Sequence, residues 1–109
     1  MTMRVIVLAL GLLALAACAP AVTEPAATAR HVGSNDPYGN DGARMHLFIF
    51  DPSAPRSLAD RKAIARRMVE GDNDCSWVEA PDEVLIAATR AQGERYKDTL
   101  LVAPLRCRA

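Results

Sequence analysis

A break in composition near residue 18 limits what this chain can build. Residues 5–17 are Val, Ile, Leu and Ala with a single Gly, after which Pro20, Pro25 and Pro37 punctuate a stretch of Ala, Thr, Gly, Asn and Asp. Half of the 109 residues are hydrophobic, yet a large share of them stands ahead of residue 18. A core therefore has to come from the residues beyond that break, and their number allows one small domain.

The first 17 residues have the layout of a cleavable leader. Arg4 and the α-amino group make a positive start, and Val5–Ala14 is an apolar run of signal-peptide length. A membrane-spanning helix needs about 20 apolar residues. The apolar stretch here is shorter and meets Pro20. It ends in Leu15-Ala16-Ala17-Cys18, a large aliphatic residue and two small ones before a cysteine. That tetrad resembles the lipobox of bacterial lipoproteins.

The resemblance implies cleavage between Ala17 and Cys18. The Cys18 thiol would carry a diacylglyceryl group and its new α-amino group an acyl chain. Two or three chains hold a protein firmly to a bilayer, since each buried CH₂ contributes about 0.8 kcal/mol and one chain anchors only marginally. The resemblance further implies a periplasm-facing protein of the cell envelope. Ala19, where an Asp would favour retention at the inner membrane, leans toward the outer one.

Residues 18–44 read as a lipidated cysteine followed by a disordered tether. Gly33-Ser34-Asn35-Asp36-Pro37 argues against regular structure, and such a composition buries too little apolar area to offset its ordering entropy. Roughly 26 such residues would span about 30 Å. His31 in this stretch reads as solvated, and Tyr38 as docking on the domain or on a partner.

The expected domain is residues 45–109. His46-Leu47-Phe48-Ile49-Phe50, closed by Asp51-Pro52, reads as a buried strand. Ser57 opens a helix with Asp60 three residues on, in the manner of a capping box. Leu58, Ile64, Ala65, Met68 and Val69 form its apolar stripe, and Gly71 stops it. Arg61 falls inside that stripe, with its stem snorkelling at the domain edge or its charge paired with Asp51 or Asp98. Lys62, Arg66 and Arg67 occupy the other side: a solvated face, or a contact for envelope lipid or wall.

Cys75–Glu79 suggests a second strand. Residues 81–92 suggest a helix with Pro and acids in its first turn, although Glu83–Ala87 also suits a strand paired back onto Trp77. Asp98–Ala103 gives a third strand, broken at Pro104. The expectation is an α/β (α+β) domain with a small three-stranded sheet and two helices on one face.

With Cys18 lipidated, Cys75 and Cys107 remain in an oxidising compartment, where a structural disulfide is the default. Metal binding would want more ligands than His46 supplies in the domain, so no metal is expected, and no cofactor beyond the covalent lipid. Asp72-Asn73-Asp74 reads as a polar turn rather than a calcium loop. No nucleophile elbow, phosphate loop or zinc-protease motif occurs, so no catalytic residues are expected. Thirteen basic and thirteen acidic side chains give no field to gather nucleic acid. These features suggest a membrane-anchored interaction or accessory module with an envelope protein as partner. The alternatives are a structural envelope lipoprotein using Lys62, Arg66 and Arg67, and, least favoured, an enzyme built around His46 and Asp51.

Overall fold

The structure is a computed structural model that describes residues 27–108. It is an α+β domain: β1 (Arg30–Tyr38), β2 (Ala43–Ile49), α1 (Leu58–Glu70), β3 (Cys75–Trp77), α2 (Asp82–Ala91) and β4 (Leu100–Cys107), with a 3₁₀ turn at Glu94–Tyr96. The strands form one antiparallel sheet in the order β1-β2-β4-β3. β4 enters between β2 and β3, which therefore run in the same direction on either side of it.

The sheet has four strands, one more than the sequence suggests, and the extra one comes from the expected tether. Residues 30–44 belong to the fold, while Cys18 and the leader lie outside the described residues. β1 tolerates its turn-like composition because it is an edge strand, with only one side in need of hydrogen bonds. Its register with β2 shifts between Gly33 and Pro37, so the Ser34-Asn35-Asp36 segment bulges out of the ladder. Ser34 Oγ donates to Met45 O and holds the bulge to β2. Gly39 and Gly42 turn the chain into β2 with φ of 69° and 88°, where a side chain would be strained.

β4 also departs from expectation by continuing through Pro104. Even-numbered residues of β4 turn their backbone groups away from β2: Val102 N–H donates to Thr89 Oγ1 at 3.0 Å, and Pro104 O accepts from Val78 N at 3.2 Å. The N–H that proline lacks therefore falls on the side of short β3 and leaves the β2–β4 ladder intact.

Alternation along β2 sorts the core. Phe48 and Phe50 turn to one face, where Leu101, Ala103 and Leu105 of β4 join Ile64, Ala65 and Val69 of α1. Met45 turns to the other face with Leu100 and Val102, and Tyr38 and Leu47 pack beside them. Tyr38 thus docks on the domain. α1 starts as its sequence suggests, with Ser57 Oγ accepting from Asp60 N at 3.1 Å. Gly71 ends it at φ −83°, right-handed rather than left-handed.

Within residues 81–92, Asp82–Ala91 are helical, but α2 is not confined to the face that α1 covers. Leu85 reaches the first cluster, and Val84 and Ala88 reach the second. α2 thus straddles the edge of β4 beyond the end of β3, and Thr89 takes the Val102 amide that a longer β3 would have taken.

Arg61 neither snorkels nor forms an ion pair. It is only 5 % exposed; its Nε donates to Arg56 O at 3.1 Å and its Nη1 to Leu100 O. Burial pushes its pKa down, opposed by the charge of Asp98. The guanidinium clamps the loop before α1 to the start of β4, an arrangement that suits its fork of donors. Among the described residues, no helix is long and apolar enough to cross a membrane.

Candidate functional site

The helix-covered face of the sheet is not closed along its whole length. Continuing from Phe48 toward the start of β2, the same face presents His46 and then Arg44, opposite Ala103 and Leu105. No residue of α1 lines that end, and Gly33, opposite His46 on β1, contributes no side chain. The gap is a cavity of about 430 Å³, lined by Ser34, Asn35, Arg44, His46, Cys107 and Arg108, with buried Leu105 among its walls.

Cys75 and Cys107 face each other across β3 and β4 and are joined by a disulfide. The sequence suggests this pairing, and the register explains it. The bridge stands beside His46, whose Nε2 is 3.8 Å from Cys107 Sγ. The other nitrogen of that ring, Nδ1, shares a hydrogen bond of 2.8 Å with His31 Nε2. His31 stacks in parallel on Phe48 with ring centroids 4.8 Å apart. A residue expected in a solvated tether is therefore part of the sheet. Burial first, then the His31 ring and the Arg44 charge, push the His46 pKa below its usual value. A neutral imidazole is thereby favoured, with one ring nitrogen donating and one accepting.

Lys62, Arg66 and Arg67 do not converge on this cavity, and each has a partner within the domain. Lys62 Nζ is 2.7 Å from Asp82 Oδ1, at the start of α2. Arg66 pairs with Glu79 at 2.7 Å while its guanidinium lies 5.5 Å from the Trp77 ring centroid. Arg67 Nη2 donates to Ala27 O at 3.0 Å. Exposed pairs of this kind contribute little individually, about 0–1 kcal/mol, yet they draw all three side chains toward the neighbouring segments.

His46 and Asp51 are not brought together either. Asp51 accepts from both the backbone N and the Oγ of Ser53, at 2.9 and 2.7 Å, and these bonds hold its carboxyl below the usual range. It does not line the His46 cavity. Asp74 N donates to Asp72 Oδ1 at 2.8 Å, a local turn, and no group of three metal-ligating side chains occurs among the described residues.

Sequence reasoning missed Arg44, Arg108 and His31 as members of one site. Their proximity depends on how β1 and β4 register against β2, and no local pattern carries that information.

A second recess lies on the opposite face. Leu47, Ile49, Pro52, Tyr96 and Leu100 border a groove of about 360 Å³. Gly93, at φ 141°, lets the Tyr96 ring approach the backbone: a Cβ there would stand 3.0 Å from Tyr96 Cδ2. Val32, Ile49 and Tyr96 are each more than a third exposed. Compared with protein families, curated proteins and solved structures, the chain matches none.

Proposed function

We propose that this protein is a bacterial envelope lipoprotein, anchored through lipid on Cys18, whose domain acts toward the periplasm as an interaction or accessory module for a protein partner. The observation that carries the module reading is the apolar strip left on the sheet face that α1 does not cover. Val32 and Leu47 are cross-strand neighbours there, Ile49 follows on β2, and Tyr96 closes the groove. Grouped apolar exposure of this kind, rimmed by polar residues, marks contact surfaces more often than scattered single side chains do. The envelope location rests on the lipobox resemblance, with Ala19 favouring the outer membrane. The internal partners of Lys62, Arg66 and Arg67 favour the apolar strip over the basic helix face as the contact.

The test joins both halves of the proposal in intact cells. Labelled palmitate should enter the wild-type protein and not Cys18→Ser, and the wild type should fractionate with outer membrane. A photo-crosslinking residue at Ile49 should capture one discrete envelope protein, and the same residue at exposed Ala63 on α1 should not. An unlabelled wild type would refute the anchor. Equal capture from both positions, or none from Ile49, would refute the strip as the contact.

A further inference from the structure

The cavity beside the disulfide brings two arginines without acidic partners into one recess, whereas several other arginines of the domain are paired. Arg56, Arg66, Arg90 and Arg106 each lie against an acid, Asp60, Glu79, Glu94 and Asp41 respectively. Arg44 and Arg108 line the cavity and make no ion pair among the described residues. Among the described residues, no acidic side chain lines it.

Both arginines stand on rigid backbone. Arg44 sits in β2 between Pro37 of β1 and Leu105 of β4. Arg108 follows disulfide-bonded Cys107, and its N–H donates to Asp74 O at 2.7 Å. Two cations on fixed backbone without partners can converge on an anion, with the ordering of their exposed side chains as a cost of binding. Asn35 adds an amide, and His46 an imidazole kept neutral by burial and by the positive charge around it.

We propose that this cavity binds a phosphate monoester, gripped between Arg44 and Arg108. The charge decides the class of ligand: such a phosphate carries about −2 near neutral pH, which matches two guanidinium groups, whereas a carboxylate or sulfate ester carries one negative charge. A guanidinium fork also binds two phosphate oxygens at once. The volume exceeds that of the phosphate alone and leaves room for the polar body that bears it, such as a sugar or a lipid headgroup. The site stands apart from the apolar strip and does not depend on the anchor.

The experiment uses the full chain in a non-ionic detergent, with glucose 6-phosphate as the soluble probe and glucose 6-sulfate as the singly charged control. Binding is followed by calorimetry and by the ring resonances of His46. Glucose 6-phosphate should bind saturably and shift those resonances, while the sulfate should bind at least about ten-fold more weakly. Arg44→Ala and Arg108→Ala should each weaken binding about ten-fold or more, from the loss of one charge-assisted contact. Arg44→Lys should lose less, and Arg95→Ala nothing. Circular dichroism checks that the variants fold, as expected for two exposed side chains.

Phosphatidic acid in phosphatidylcholine vesicles, against phosphatidylcholine alone, separates the sources. A His46 shift only with the vesicles supports a lipid headgroup, and one with glucose 6-phosphate supports a soluble ester. Absence of saturable binding with both probes, equal affinity for phosphate and sulfate, or indifference to both arginine-to-alanine changes would overturn the proposal.

Discussion

The two faces of the sheet are built from the same strands and end in opposite conditions. On one, Phe48 and Leu101 are sealed beneath α1 with no exposure. On the other, Met45 and Val102 are buried, but Val32 and Ile49 remain more than a third exposed. Adjacent residues of β2 therefore sit in different environments, Phe48 in a dry core and Ile49 at the edge of a groove. One helix closes most of one face of a sheet this small, leaving only the His46 end open. The second helix, displaced to the edge of β4, closes the other face only in part. A sealed core and an exposed apolar strip thereby fall on opposite sides of one sheet.

The largest test of that contrast compares neighbouring positions. Phe48→Ala should cost about 3–5 kcal/mol, as large-to-small changes in sealed cores do, and Ile49→Ala about 1 kcal/mol or less. Urea unfolding of both variants measures this, and similar losses would mean that the second face is covered after all. Next in size is the bridge on the helix-covered side. Replacing Cys75 and Cys107 together by Ala opens a loop with a separation of 32 residues and should cost about 3–4 kcal/mol by loop-closure arithmetic. A loss seen only under non-reducing conditions, when wild type and variant are compared, assigns the effect to the bond itself.

Thr89→Val sharpens the comparison at the seam where α2 straddles the edge. It keeps the shape and removes the acceptor for the Val102 amide, so about 1–3 kcal/mol should be lost. Amide exchange at Val102 should quicken with it.

The smallest expected effect concerns the unfinished end of the covered face. The folded pKa of His46 lies below its ordinary 6.5, so the unfolded chain takes up its proton first as pH falls. Its contribution to stability is complete above the unfolded value and is lost as pH drops through the folded one. His46→Gln should flatten the stability profile below about pH 6.5, and an unchanged slope would remove His46 from that role.

Legibility in the sequence followed the range of the interactions. α1 could be read because Ser57, Asp60 and the Ile64–Val69 stripe are local signals, and the Cys75–Cys107 bridge because few partners were available. β1 could not be read. Gly33, Asn35, Asp36 and Pro37 are turn formers everywhere except at an edge with a bulge, and only the pairing with β2 shows that this is such an edge. Pro104 misled for a related reason, since whether a proline breaks a strand depends on which neighbour its missing N–H would have faced. The cavity was the least legible of all. Arg44, His31 and Arg108 are far apart in the chain and meet only through register, and Arg61 found its partners in two backbone carbonyls that no side-chain pattern announces.

The bond between Cys75 and Cys107 also makes a covalent ring that includes α2, the 3₁₀ turn and β4. A protease entering the exposed turn near Glu94–Tyr96 would open that ring without freeing either piece. The fragment carrying all of β4 would stay fastened to β3, and through it to the amino-terminal part of the chain. A nick there would register as a mass change after reduction and leave the unreduced molecule in one part, which would serve the proposed envelope protein among periplasmic proteases.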